Sequence, residues 1–478
     1  MPEIKFYHRP EVPMEMHKVK IVQRLELLPA RQRLQKMKEA HFNAFLLHNK
    51  DIFVDMLTDS GVNAMSDDMQ AAMLRADDAY AGSETFYRMN KKLTEIFGIE
   101  HFLPAHQGRA CEHIIAVHFV KPGKTVIMNY HFTTAKAHVT NLGGKVEELI
   151  ADEGLITASD LPFKGNIDLN KVKACIEREG AENIAYLRME AGTNLIGGQP
   201  ISYENMKAAT ELAKSYGIPT VLDASLLQDN LYFIKTREEG MKDKSIREIT
   251  RMIADLFDLV YFSGRKFGFG RGGGCMVRDE KMFHEMEDYV TMYEGFLTYG
   301  GMSVKEMEAL IIGFEESMDF DVISQGPQFI RHCVNELVKC GIPMVTPSGG
   351  LGAHINAREV VPHIPDKRIV FGMTRSFYHR LMKSGVKIYE YEPGFIHAKS
   401  YVADDEYAMI GTINLDYRSL VHHFENGVWM YKCDSIKDLK ADIDETLAKS
   451  IEITPDMLKT GLATRFIRSV VRIFAPML

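Results

Sequence analysis

The chain has 478 residues, 46% of them hydrophobic, which suffices for two or three packed domains. A net charge of −8 and a pI near 6.2 leave no global basic field that would draw nucleic acid. Its six cysteines (Cys111, Cys175, Cys275, Cys333, Cys340, Cys433) are scattered with no CxxC pair, which suits reduced thiols better than a disulfide or zinc framework.

Residues 1–50 mix charges with short apolar runs and read as an extended arm followed by helix. The N-terminus has no basic-then-apolar signal pattern, and no apolar run is long enough to span a bilayer. A cytoplasmic chain, at most surface-bound, is the expectation. Ser66 heads a helical pattern through Met69, Met73 and Leu74, with acidic residues in its first turn. From about residue 100 to 280, strand-like runs at 125–128, 184–189, 220–223 and 259–262 alternate with helix-length segments. That alternation is the signature of βαβ units and a mostly parallel sheet. Residues 303–341 are helical in period, with a break expected near Gln325-Gly326-Pro327.

Three element ends carry chemistry. Lys266 follows the apolar run Leu259-Val260-Tyr261-Phe262, in a glycine-rich turn with Ser263 and Arg265. Asp223 closes the short strand that begins after Pro219. His106-Gln107-Gly108-Arg109 opens a helix-like segment with donors suited to an anion. Taken alone, a lysine in such a turn reads more readily as a solvated basic loop, and Asp223 as a helix cap. Together, an anion cradle, a carboxylate and an amine match the needs of pyridoxal 5'-phosphate (PLP) for its phosphate, pyridine nitrogen and aldehyde.

Residues from about 20 to 362 resemble the β-eliminating lyases, the tryptophanase and tyrosine phenol-lyase family. The resemblance is carried in order by Met56-Leu57-Thr58-Asp59-Ser60-Gly61, Asp78-Ala79-Tyr80-Ala81-Gly82-Ser83 and His106–Arg109. Gly197-Gly198-Gln199-Pro200, the Asp223 strand, Asn230–Lys235, the Lys266 loop and Thr298-Tyr299-Gly300-Gly301 continue it. It implies a fold-type I PLP-dependent transferase-like α/β domain that releases pyruvate and ammonia from an aromatic or related amino acid, in a homo-oligomer (a dimer or tetramer).

By the same resemblance, Lys266 binds the cofactor's aldehyde and handles the Cα proton, and Asp223 pairs with the pyridine nitrogen. Gln107, Gly108, Arg109 and Ser263 hold the phosphate. Phe132 stacks on the ring beside Thr133, and Asn194 contacts the ring hydroxyl or the substrate carboxylate. Tyr80 reaches a neighbouring subunit's site and helps protonate the leaving group. Gly61 and Asp78 lie where the family binds a monovalent cation such as K+, with Asp78 in place of the usual glutamate. Where the family has an arginine three residues after the aspartate, this chain has Leu226.

Beyond the run 363–367 the chain resembles a second family. His397-Ala398-Lys399, then Asp404, then Gly411-Thr412-Ile413-Asn414 is the phospholipase D pattern, with flanks similar to bacterial cardiolipin synthase. Strand alternation puts His397 and Lys399 on one face, where a lysine can hold a phosphate beside an imidazole nucleophile. Only one copy of the pattern is present, where such sites resemble a facing pair. The region of the family's small domain that supplies an arginine for the substrate carboxylate is replaced. The basic amphipathic stretch 462–474 reads equally as a membrane-surface helix or a docked terminal helix.

The expected organisation is an arm (1–55), a PLP-binding large domain (56–310), a truncated start of a small domain (311–365) and a truncated phospholipase D-like α/β segment (366–478). Three functions follow: a PLP-dependent lyase, a phosphatidyltransferase or phosphodiesterase fragment acting on phospholipid through His397, Lys399, Asp404 and Asn414, or a chimera that binds cofactor and turns over little. Recombination at a short shared sequence, deliberate joining and assembly error all fit such a join.

Overall fold

A computed structural model describes residues 26–55, 65–77, 79–356, 359, 368–391, 399–411 and 427–458. The chain divides into two units, Met1–Asn356 and Ala357–Leu478.

In the first unit seven strands follow in chain order: β1 (His101–Ala105), β2 (Thr125–Met128), β3 (Lys145–Glu148), β4 (Ile184–Glu190), β5 (Thr220–Asp223), β6 (Leu259–Ser263) and β7 (Gly273–Val277). They form one sheet in the order β1-β7-β6-β5-β4-β2-β3. Pairing is parallel from β3 through β6, and β7 runs antiparallel to both β6 and β1. The mostly parallel sheet is therefore present, with three strands more than the apolar runs indicated. At the sheet edge, β3 is charged and only half-buried, while β7 opens on two glycines, so neither has the look of a buried strand.

Alternation sorts the side chains onto two faces. Leu187, Met189, Leu222, Val260 and Phe262 enter one apolar cluster with Phe97, Phe267 and Phe314. Tyr186, Val221, Leu259 and Tyr261 enter the other, with Ile114 and Ile115 of the helix Gly108–Phe119. Each such fully buried side chain contributes roughly 1.5–3 kcal/mol. The same parity puts Arg188, Glu190 and Asp223 on the second face.

Ser66 caps the helix Asp67–Met73, its hydroxyl accepting from the Met69 amide at 3.0 Å, with Asp67 and Asp68 in the first turn. Such a cap contributes about 1 kcal/mol. The break expected near Pro327 lies elsewhere. One helix runs Val304–Glu316, and the next, Phe320–Lys339, continues through the buried Pro327. The chain turns instead where Asp319 caps the second helix, because a proline removes one helical hydrogen bond that flanking packing can offset. At the N-terminal end the helix Ala30–Glu39 is described. Residues 1–25 and the motif at 56–61 lie outside the described residues.

The second unit holds the helix Arg368–Lys383, strands β8 (Tyr389–Tyr391), β9 (Lys399–Ala403), β10 (Tyr407–Gly411), β11 (Gly427–Tyr431) and β12 (Ser450–Glu452), and the helix Ser435–Ala448. An antiparallel sheet β11-β10-β9 and an antiparallel pair β12-β8 result. No helix among the described residues is long and apolar enough to cross a membrane. The 363–367 run and the 462–474 stretch lie outside the described residues.

Candidate active site

Parallel strands end on the same edge of a sheet, and ligands gather outside those carboxyl ends. Here β4 ends in Glu190, β5 in Asp223 and β6 in Ser263. β1 delivers Gln107 and Gly108 to the same edge through its pairing with β7. The result is a cleft bringing Gln107, Gly108, Arg109, Phe132, Asp223, Ser263 and Lys266 together, along with Glu112, Thr134, Glu190, Ser225, Leu226 and Arg265. Seven of the residues singled out from the sequence thus share one cavity.

The anion end is built tightly. A Cβ on Gly108 would lie 3.0 Å from the Ser263 Cβ, and one on Gly273 would lie 2.5 Å from the Gln107 carbonyl carbon. At Gly273, against main chain, only glycine allows that approach. The helix Gly108–Phe119 begins there, so its first-turn amides offer donors beside the Ser263 hydroxyl. Lys266 leaves β6 in a tight turn, its amide donating to the Ser263 carbonyl at 3.1 Å while the Gly264 amide donates to Gly272 at 2.8 Å. Lys266 is 7% exposed, and its Nζ lies 5.3 Å from the centroid of the Phe132 ring.

Asp223 is fixed by three donors. Ser225 N–H reaches Oδ1 at 2.9 Å, and the Tyr261 hydroxyl reaches Oδ2 at 2.8 Å. Arg188 Nη2 reaches the same Oδ2 at 2.5 Å. Arg188 also donates through Nε to the Tyr261 hydroxyl at 2.9 Å and through Nη1 to Glu190 Oε2 at 3.3 Å. Burial opposes the Arg188 charge, but Tyr261, Asp223, Glu190 and Glu112 around it outweigh that and hold the guanidinium charged. Glu112 accepts from Thr134, and burial pushes its carboxyl up against the pull of Arg188. Burial likewise raises Glu190 to about 7. On the helix Leu227–Arg237, burial pushes Asp229 to about 7 while the Lys266 charge pulls it down.

Arg188, Glu190, Glu112, Tyr261 and Asp229 were not singled out from the sequence. The signal was there in β4: two charges two residues apart, Arg188 and Glu190, inside a run buried from end to end. An ion on the same face of such a strand needs a partner on the next one.

Other sequence-derived site residues fall elsewhere. Thr133 opens the helix Thr133–Asn141, and Thr134 rather than Thr133 lines the cleft. Asn194 is not among the lining residues; its amide donates to Glu190 Oε1 at 3.1 Å. Tyr80 is 73% exposed and packs on Phe296 and Tyr299, with ring centroids 5.7 and 5.5 Å away, not in the cleft of its own chain. Gly61 and Asp78 lie outside the described residues, among which no metal-ligating cluster occurs. In the second unit Lys399 opens β9 and Asp404 sits in the β9–β10 turn with φ +54°, while His397 and Asn414 lie outside the described residues.

Leu226 is 3% exposed and lines the cleft as an apolar wall.

The aspartate aminotransferase of Thermus thermophilus, solved with maleate, shares this fold with a TM-score of 0.51 at 16% identity, over 72% of this chain and 90% of that one. A tyrosine phenol-lyase of Clostridium tetani is 40% identical over 357 residues, 74% of this chain and 78% of that protein. A tyrosine phenol-lyase of Fusobacterium nucleatum is 40% identical over 358 residues, 75% and 78% of the two chains. The Beta-eliminating lyase family matches residues 55–439, running past the 363–367 segment where a join was expected. Neither the phospholipase D resemblance nor a chimera gains support from these matches. The chain belongs to the β-eliminating lyase family.

Proposed function

We propose that this chain carries out PLP-dependent β-elimination on a tyrosine-like aromatic amino acid, releasing pyruvate, ammonia and the aromatic leaving group. The single observation that carries the reading is one cleft holding the Lys266 amine and the Asp223 carboxylate together with the Gln107-Gly108-Arg109 turn. The residues fit PLP: an anion cradle closed by Gly108 against Ser263 and by Gly273 against the Gln107 carbonyl, a carboxylate with three fixed donors, and an amine beside an aromatic ring.

When bound, PLP supplies an electron sink for the substrate's Cα carbanion. Gln107, Gly108, Arg109 and Ser263 bind the phosphate. Asp223, aimed by Arg188, Tyr261 and the Ser225 amide, would hold a proton on the pyridine nitrogen. Phe132 packs against the ring and excludes water from one side. Lys266 Nζ would hold the aldehyde end of the cofactor, and its amine would take the proton from the substrate's Cα. Leu226 and Phe132 give the cleft apolar walls suited to an aromatic side chain. In an oligomer, Tyr80 of a neighbouring copy supplies the leaving group's proton, and Gly61 and Asp78 hold a monovalent cation.

The test is direct. Purified protein incubated with PLP should turn yellow, and borohydride should fix the label on Lys266. It should form pyruvate from tyrosine faster than from tryptophan. A label on another lysine rejects the site, and a labelled Lys266 with no pyruvate from any aromatic amino acid rejects the reaction.

A further inference from the structure

Register sets Glu190 of β4 directly beside Asp223 of β5, and both side chains line the cleft. One guanidinium serves the two, Arg188 lying 2.5 Å from Asp223 and 3.3 Å from Glu190. Two carboxyls this close, buried together, do not both ionise without a large electrostatic cost. Donor supply decides between them. Asp223 has Arg188 at short range, the Tyr261 hydroxyl and the Ser225 amide. Glu190 has the long contact to Arg188 and the Asn194 amide at 3.1 Å.

We propose that Glu190 is the proton-holding carboxyl of this cleft, able to exchange its proton with a polar group of a ligand lying beside Asp223. Burial pushes Glu190 up, Arg188 pulls it back, and the Asp223 charge pushes it up again. Lys266 and the Asn194 amide also lower it. Glu112, the remaining carboxyl of the cluster, accepts from Thr134 and is likewise pushed up by burial. On transfer, the O–H bond of Glu190 breaks and the proton passes to a ligand oxygen or nitrogen. The carboxylate left behind faces Arg188 and the Asn194 amide. The proton's residence on Glu190 is a property of the protein alone, whereas its exchange rests on the cofactor reading above.

Infrared difference spectra of the ligand-free full chain across neutral pH test the residence. Asp229, also buried and raised to about 7, gives its own signal, so the spectra are compared in an Asp229→Asn background. A protonated-carboxyl C=O band that titrates there and vanishes on adding Glu190→Gln is expected. A band unchanged by Glu190→Gln, or no band at all in Asp229→Asn, overturns the proposal. If Glu190→Gln does not fold, Glu190→Asp replaces it, and an unmoved titration midpoint overturns the proposal in the same way. Calorimetric titration with PLP in buffers of different ionisation heat tests the exchange. The number of protons moved on binding should differ between wild type and Glu190→Gln by a sizeable fraction of one, and equal counts overturn it. Wild-type protein that binds no PLP overturns the exchange together with the cofactor reading, while the infrared result still decides where the proton sits.

Discussion

Two regions of this chain present a lysine and an aspartate at the ends of strands, and they differ in what surrounds them. At the carboxyl ends of β4, β5 and β6 the charged groups are nearly all buried, and Asp223 alone collects three donors. In the sheet β11-β10-β9, Lys399 is half-buried, Asp404 is exposed, and the aromatic side chains of Trp429 and Tyr431 are 73% and 56% exposed. A charge in solvent is weakly coupled to its neighbours, whereas a charge withdrawn from water must be matched. The first arrangement can hold a proton at a chosen atom.

The sharpest way to break this contrast is at Lys266. Lys266→Ala should lower pyruvate formation by about 10⁴-fold and abolish the borohydride-fixed label. Pyruvate formation near the wild-type rate would move the chemistry out of the cleft. Arg188→Met should come next, since it strips the cation from buried Asp223 and Glu190. A loss of about 3–5 kcal/mol in denaturant unfolding is expected, and an unchanged midpoint would mean the cluster is not held by charge.

A smaller effect belongs to Asp229. Its folded-state value, about 7, lies above the ordinary aspartate value, so the folded protein binds the extra proton between those limits. The stability this supplies is complete below about pH 4 and lost as pH rises through 7. Asp229→Asn should therefore match wild type near pH 4 and exceed it by about 4 kcal/mol at pH 8, read by urea unfolding at both values. Glu190 contributes with the same sign. Least of all should come from Lys399→Ala, which should shift stability by no more than about 0.5 kcal/mol and leave pyruvate formation unchanged. A drop in pyruvate on this substitution would tie the second unit to the lyase chemistry.

What the sequence disclosed follows from these same surroundings. Lys266, Asp223 and the Gln107–Arg109 turn stand at element ends, where a polar residue interrupts an apolar run and draws attention. Arg188 and Glu190 sit within a strand, where an apolar average hides them, and their partners come from β5 and β6, far along the chain. β7 was hidden because its glycines answer a close approach that only the folded sheet creates. The proline at 327 misled for the opposite reason: a local rule was outweighed by packing along a long helix. Tyr80 gave no local signal of its own, since it stands on an exposed aromatic patch away from the cleft.

The glycine at 273 has one more implication. Since its α-carbon abuts the Gln107–Gly108 peptide, the back of the anion cradle is polypeptide main chain, which has no rotamers to choose among. A bulkier head group entering that end would meet a surface unable to step aside, so selection by size there is written into the course of the chain and not into any side chain that could be exchanged.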